Sequence, residues 1–169
     1  MTIASGSNKS GGDPDGQNAF DFFVGKWKGR NRRLADYFSE KEEWIEFESF
    51  SRARMLWDGK GNMDETVFHS PKGDLVGSTI RIFDSTTRLW ALFFAAAGNF
   101  KIEAPQIGRF QNGVGEFYGN EVFGGRHVFV RFKWTLTNTD SPVWEQAFSL
   151  DAGKSWKPNY IVEFEQVQS

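Results

Sequence analysis

The residues with the clearest chemical potential are polar side chains at alternating positions of apolar runs. Asn31 and Arg33 lie near the N-terminus, Ser49 lies in the next apolar run, and Gln146 and Tyr160 lie near the C-terminus. Because side chains two residues apart in a strand share a face, we expect these groups to point into an interior with apolar neighbours. The pattern favours a mostly apolar binding pocket in which a few polar groups orient the ligand.

Each of these polar groups has an alternative interpretation. They can hydrogen-bond to one another or to ordered water. An inward Arg33 needs a carboxylate partner or an anionic ligand, because burying an unpaired charge is costly, but near the end of its strand it can also reach solvent. If the protein is an enzyme, Tyr160 is the first candidate for a general acid or base with a perturbed pKa.

The familiar catalytic and metal-binding motifs are missing from this sequence. The 169 residues include no cysteine, which excludes disulfides, thiolate nucleophiles and cysteine-based metal sites. His69 and His127 are the only histidines, and without inward carboxylates nearby they predict no metal site. The nucleophile-elbow and dinucleotide-binding glycine motifs are also absent, so we predict no cofactor.

Composition limits the partners. The formal net charge of −2 argues against nucleic acid as the main partner, and no apolar run approaches the roughly 18 residues of a membrane-spanning helix. The aromatic content is high, with 18 Phe, 7 Trp and 3 Tyr. This number of aromatic rings is larger than one simple core layer requires, so it predicts a wide interior, an association surface, or both.

Turn residues divide the chain into short alternating runs, which is typical of an all-β protein. Clusters of Gly, Pro, Asn and Asp separate the runs, and the short connections favour an up-and-down antiparallel arrangement. A short helix is predicted at 18–23. We predict about ten strands, at 27–34, 43–57, 63–69, 75–83, 88–97, 104–110, 114–122, 127–137, 143–150 and 160–167.

Alternation within the runs predicts which side chains face inward. In the fourth strand we expect Val76, Ser78, Ile80 and Ile82 to face inward and Arg81 to face outward. The fifth strand, 89–97, is apolar on both faces, which predicts a cover from outside the barrel. The expected cover is a second subunit, so we predict a homodimer.

We predict a polar, disordered tail at 1–18 and one barrel domain at 19–169. The tail is composed mainly of Gly, Ser, Asp and Asn and lacks the charged start and apolar run of a signal peptide. The expected location is therefore cytoplasmic.

Two blocks of sequence resemble known families. The run Phe22-Phe23-Val24-Gly25-Lys26-Trp27-Lys28-Gly29 resembles the Gly-x-Trp opening of lipocalin-type (calycin) barrels. Trp144 to Ser149, Asp151-x-Gly153-Lys154-Ser155-Trp156, Pro158-Asn159-Tyr160 and Glu163-Phe164 resemble a bacterial family of lipocalin-like proteins without a settled activity. The resemblance covers 19–166 and implies an eight- to ten-stranded barrel with a hydrophobic pocket, with Trp27 inside the closed end.

Two further likenesses carry less functional weight. Ser149 to Trp156 matches the Asp-box pattern of sialidase propellers, where the motif is a structural hairpin outside the active site. Nitrobindin, a haem-binding relative of this barrel class, uses a histidine as iron ligand. No histidine of this chain lies near the C-terminal strand, so haem is not predicted.

The sequence therefore predicts a lipocalin-like barrel that binds a small hydrophobic or aromatic molecule in its interior. The alternative is a cofactor-free cyclase or isomerase that acts on a hydrophobic substrate in the same cavity, by shape and orientation. A third class, a structural dimerisation module, predicts a filled barrel. The expected walls are Trp27, Trp134, Trp144, Phe148 and Tyr160, and the expected orienting groups are Asn31, Arg33, Ser49 and Gln146.

Overall fold

The computed structural model describes residues 12–168 and is built almost entirely of β-strands. Two single-turn 3-10 helices, Asp21–Phe23 and Trp57–Gly59, accompany them. The strands are β1 (Gly25–Leu34), β2 (Trp44–Leu56), β3 (Gly61–Ser70), β4 (Gly73–Asp84), β5 (Leu89–Ala96), β6 (Gln106–Gln111), β7 (Val114–Phe123), β8 (Arg126–Thr135), β9 (Val143–Ser149) and β10 (Lys157–Gln166). The predicted all-β fold is confirmed.

The ten strands close into one antiparallel barrel in chain order. Each strand pairs with its neighbours in sequence, and β1 completes the ring by pairing with β10 as well as β2. Arg33 thereby lies opposite Ile45 on one side and Tyr160 on the other. Closure leaves no unpaired sheet edge, and the short turns between neighbours explain why the up-and-down order was predictable.

The N-terminal segment closes one end of the barrel. The predicted helix at 18–23 is a 3-10 turn at Asp21–Phe23. Of the tail predicted for 1–18, residues 1–11 lie outside the described residues, whereas the Gly16 carbonyl accepts a 2.9 Å hydrogen bond from Trp90 Nε1. Asp13 forms a 2.6 Å ion pair with Arg88. None of the helices in 12–168 has the length and hydrophobicity needed to cross a lipid bilayer.

Aromatic rings fill this closed end. Phe20 is fully buried and its ring lies 5.0 Å from that of Trp90 and 4.9 Å from that of Phe110. Phe23 stacks on Trp27 with ring centres 5.5 Å apart. Such edge-on and offset pairs add to the stabilisation from burial alone. This half of the interior is a packed core.

The predicted orientation of β4 was wrong. Arg81 is only 4% exposed, whereas Val76 and Ile82 are 44% and 38% exposed. The strand therefore turns Gly77, Thr79, Arg81 and Phe83 inward. An apolar outer surface misled the alternation rule, because hydrophobicity marks the core face only when the other face is polar.

Candidate functional site

The half of the barrel opposite the N-terminal plug, called the open half below, is less tightly packed than the plugged half. The closed half is lined by fully buried residues such as Trp27, Trp90 and Phe117. Val128, Val130 and Phe148 form a second buried cluster in the open half. Six other inward aromatic side chains there are only half-buried, namely Phe47, Phe68, Phe94, Phe132, Trp144 and Tyr160. The aromatic walls of the open half are therefore less completely buried than the core of the closed half.

A buried hydrogen-bond chain forms the polar floor of this lumen. Tyr160 Oη donates to Asn31 Oδ1 over 2.9 Å, and Asn31 Nδ2 donates to Ser49 Oγ over 2.8 Å. The chain links three strands, since these residues lie on β10, β1 and β2. It needs Gly29, because a Cβ at that position would collide with Ser49 Oγ and lie 3.0 Å from a methyl carbon of Val162.

The hydroxyl of Tyr160 is held in its protonated form. Burial raises the pKa of Tyr160 well above its ordinary value, the neighbouring Tyr37 raises it further, and the charge of Arg33 partly opposes both effects. Tyr160 is therefore a hydrogen-bond donor over the physiological pH range. That state suits positioning of a polar group and does not suit a general base.

Arg33 points into the lumen beside Tyr37. Its guanidinium lies 5.8 Å from the ring centre of Phe47, and its Nε is buried without a hydrogen-bond partner in the described structure. Burial raises the pKa of Tyr37, whereas the charge of Arg33 lowers it, so the two groups lie close together. Among the described residues, Arg81 and Arg131 also have an unpartnered Nε, so it is the missing ion-pair partner that distinguishes Arg33 from Arg81.

Glu121 is the one lumen carboxylate whose pKa is shifted towards neutrality. Burial is the main cause of the raised pKa and the nearby Glu103 adds to it, whereas the hydrogen bond from Gln106 opposes it. Gln106 Nε2 donates to Glu121 Oε1 over 3.1 Å. A raised pKa moves a carboxyl group towards the range in which it can act as a general acid. Within 12–168, no three His, Asp or Glu side chains are grouped to hold a metal ion.

The loop between β1 and β2 covers the open end. Tyr37 packs edge-on against Phe148 with ring centres 5.3 Å apart, and it lies 5.0 Å from Phe123. Lys157 Nζ donates to the Ser39 carbonyl over 3.1 Å, which attaches the same loop to β10. Aromatic contacts from three elements therefore form a roof over the lumen.

The predicted site residues fall into two groups. Asn31, Arg33, Ser49, Trp144 and Tyr160 line the open half, where Trp144 packs edge-on against Tyr160 at 5.3 Å. Phe148 belongs to the roof. Gln146, inward-facing beside them, donates from Nε2 to Asn159 Oδ1 over 2.9 Å.

Trp27 and Trp134 lie instead in the closed-end core. Trp27 Nε1 donates to the Phe23 carbonyl over 2.7 Å, and Trp134 stacks on Phe164 with ring centres 5.5 Å apart. Both are nearly fully buried among protein rings. Their partners within the chain account for their burial, so they are separate from the open half.

A second polar chain crosses β2, β3 and β4 inside the barrel. Arg81 Nη2 lies 2.6 Å from Asp64 Oδ2, and Arg81 Nη1 donates to Asn62 Oδ1 over 3.0 Å. Thr66 Oγ1 donates to Asp64 Oδ1 over 3.0 Å and lies 2.7 Å from Ser51 Oγ. The guanidinium also lies 5.2 Å from each of the rings of Phe20 and Phe23. Both terminal nitrogens of Arg81 therefore have hydrogen-bond partners within the barrel, and the network stabilises the closed end.

The Asp-box-like hairpin between β9 and β10 is stabilised by its own side chains. Asp151 accepts hydrogen bonds from the Ser155 backbone at 2.9 Å and the Ser155 hydroxyl at 2.6 Å. These bonds, together with one from Ser149, lower the pKa of Asp151 to about 2. Gly153 takes φ of +84°, and Trp156 packs over the Arg131 guanidinium on the outer surface. The motif thus lies outside the lumen.

Two grooves are also present, and Glu121 lines the first of them. One of about 280 Å³ is lined by Asn120, His127 and Phe129 among others, near the hairpin. The other, of about 400 Å³, lies on the outer face of β6 and β7 beside Arg109 and Tyr118. Neither contains a predicted site residue, and the converging polar groups described above lie inside the barrel.

Sequence reasoning missed Tyr37 and Glu121. An aromatic pair, Tyr37-Phe38, within an otherwise polar loop is a signal that the loop packs against the body of the protein. In β7 the inward positions Gly115 and Phe117 fix the alternation, which continues to Glu121. Parity alone could therefore have placed that carboxylate inside.

Comparisons with solved structures support the lipocalin-like barrel. The S-type phycobiliprotein lyase CPES of Guillardia theta matches with a TM-score of 0.62 and 12% identity, over 90% of this chain and 93% of that chain. The Rv2717c protein of M. tuberculosis matches with a TM-score of 0.56 and 10% identity, over 89% and 96% of the two chains. No protein-family model and no curated protein matches the sequence. At these identities the likeness extends to the fold.

Proposed function

We propose that the protein binds a small hydrophobic or aromatic molecule in the open half of its barrel. The observation that carries the proposal is the contrast between the two halves, since most inward aromatic rings are fully buried in the closed half and most are only half-buried in the open half. An apolar wall with a few converging polar groups is the usual composition of a small-molecule site. The expected contacts are Phe47, Trp144 and Tyr160, with Asn31 and Ser49 positioning Tyr160.

The matching sequence blocks further suggest membership of the bacterial lipocalin-like family with the Asp-box-like hairpin. One structural neighbour is a phycobiliprotein lyase, so a barrel of this shape is compatible with an enzyme as well as a binding protein. Because fold does not determine function, the neighbour supports the container and not a particular ligand.

The alternative proposal is a cofactor-free cyclase or isomerase. Glu121 favours it, because its pKa is raised by burial inside the roofed end of the lumen. Tyr160, whose hydroxyl proton is donated to Asn31, would then contact the substrate through its ring, and Glu121 would transfer the proton. The test compares the wild type with Glu121→Gln. An enzyme should convert a bound hydrophobic compound, and Glu121→Gln should still bind that compound without converting it, whereas a binding protein should convert nothing.

Tryptophan fluorescence tests the binding proposal. A panel of hydrophobic and aromatic compounds is expected to alter the emission of the wild-type protein, and Trp144→Ala should weaken binding about tenfold, or about 1.4 kcal/mol. Trp57→Phe is the matched control, because Trp57 is 58% exposed outside the lumen. The proposal fails if no compound binds, or if both variants bind like the wild type.

We also propose that the protein forms a homodimer through the outer face of β3, β4 and β5. Met63, Ile80 and Phe93 lie side by side there, and Ile82 pairs with Ala91 in the next outward-facing row. A stable interface buries roughly 800 Å² from each partner, with an apolar centre. Sedimentation at tens of micromolar should give a dimer that Phe93→Glu dissociates and Val122→Glu leaves intact. A monomeric wild type would contradict the proposal.

A further inference from the structure

The barrel contains two inward-facing arginines that differ in how their charge is satisfied. Arg81 in the closed half has Asp64 at 2.6 Å and Asn62 at 3.0 Å. Arg33 in the open half forms no ion pair with any carboxylate in residues 12–168, although Arg30, on the same strand, pairs with Glu163 on the outer surface. The arginine of the closed half therefore has a charge partner within the protein, and the arginine of the open half has none among the described residues.

No carboxylate among the described residues lies within ion-pair distance of Arg33, although the charge of Glu121 acts on the neighbouring Tyr37. Tyr160 and Tyr37 both have raised pKa values and remain neutral, and the Tyr160 hydroxyl proton is used in its bond to Asn31. Glu121 is hydrogen-bonded to Gln106 and its pKa is also raised. Arg33 therefore faces the interior of the open half without an ion-pair partner in residues 12–168, and its neighbour Tyr37 is neutral.

A carboxylate fits this position better than an isolated inorganic anion. A guanidinium presents parallel N–H donors that match the two oxygens of a planar carboxylate. The adjoining walls are aromatic, with Phe47 directly beneath the guanidinium and Trp144 packed against Tyr160. An apolar body attached to the anion would fill these walls, whereas a free ion would leave them in contact with water.

We infer that the ligand is an amphipathic carboxylic acid whose carboxylate binds Arg33 and whose apolar body lies against Phe47 and Trp144. Tyr37 lies beside Arg33, because burial raises the pKa of the Tyr37 hydroxyl and Arg33 opposes that rise through its charge and a hydrogen bond. This inference rests on the proposed function and adds the chemical class of the ligand to it.

Matched pairs of probes test the inference on the full chain. The probes are 2-naphthoate and dodecanoate, each with its uncharged primary amide, measured at pH 7 by calorimetry. The wild type should bind each acid about tenfold or more tightly than its amide, the range expected for a charge-assisted hydrogen bond. Arg33→Met should remove this preference and leave amide affinity unchanged. Arg33→Lys should retain part of the preference, and Arg30→Met on the outer face should retain all of it.

The outcomes separate the inference from the proposed function. Equal affinity for acid and amide in the wild type would overturn the inference and leave hydrophobic binding intact. Persistence of the preference in a folded Arg33→Met variant would also overturn it. If inorganic phosphate binds as tightly as the acids, Arg33 binds a free anion and the inference is wrong. Failure of every probe, charged and uncharged, would overturn both. The wild-type comparison remains decisive even if Arg33→Met does not fold.

Discussion

Breaking the buried ion pair between Arg81 and Asp64 should strongly destabilise the barrel. Their side chains are only 4% and 6% exposed, and the nitrogen–oxygen distance is 2.6 Å. Removing one member of such a pair leaves an uncompensated charge and typically costs about 3–5 kcal/mol. For Asp64→Asn we expect the lower part of that range, about 3 kcal/mol, because Asn62 and two aromatic rings still contact the guanidinium.

Arg81→Met should cost as much or more, because Asp64 would then keep only the hydrogen bond from Thr66. Combining Arg81→Met with Asp64→Leu should cost clearly less than the sum of the single changes, since no charge is left buried. The free energies come from urea unfolding followed by tryptophan fluorescence.

The exposed pair between Arg30 and Glu163 provides the matched control. Its side chains are 73% and 44% exposed, so Arg30→Met should cost less than about 1 kcal/mol. Losses below about 1 kcal/mol for the buried variants, or strictly additive effects in the double variant, would refute the reasoning. The first result would mean that water reaches the pair, and the second that the two charges act independently.

Three further changes test other contacts. Asp151→Asn should lower the melting temperature at pH 6 and have little effect near pH 2, because a pKa lowered from 3.8 to about 2 stabilises the fold above pH 3.8 and loses that contribution as pH falls. A pH-independent difference would contradict this. Gly29→Ala should cost about 1–3 kcal/mol in urea unfolding, since its Cβ overlaps Ser49 Oγ. Tyr160→Phe should cost about 1–2 kcal/mol by leaving Asn31 Oδ1 without its donor, and an unchanged unfolding midpoint would dismiss that bond.

The fold was predictable because its determinants are local. Turns such as Asn112-Gly113 and Gly124-Gly125 contain residues with positive φ, and they separate runs whose alternation is visible in sequence. Strand order followed because each connection is too short to cross the sheet. These signals need no knowledge of distant contacts.

The lumen was only partly predictable because its organisation is non-local. Alternation correctly turned Asn31 and Tyr160 inward, but it could not show that they bond each other across 129 positions of sequence. In β4 the same rule wrongly placed the apolar face inside. Arg81 faces inward because it pairs with Asp64 on β3, and alternation within one strand does not reveal that contact. Whether a ring such as Trp134 is core or wall depends on where the N-terminal plug packs.

The two inward arginines give a common basis for stability and function. In the closed half the fold supplies a carboxylate to Arg81 and surrounds it with aromatic rings, so this charge is satisfied once the chain has folded. In the open half the chain turns Arg33 inward near two neutral tyrosines, Tyr160 on β10 and Tyr37 in the next loop, and no carboxylate among the described residues pairs with it. Because a structural role would require a partner within the protein, this unpaired charge is better explained as a group that ligand binding satisfies.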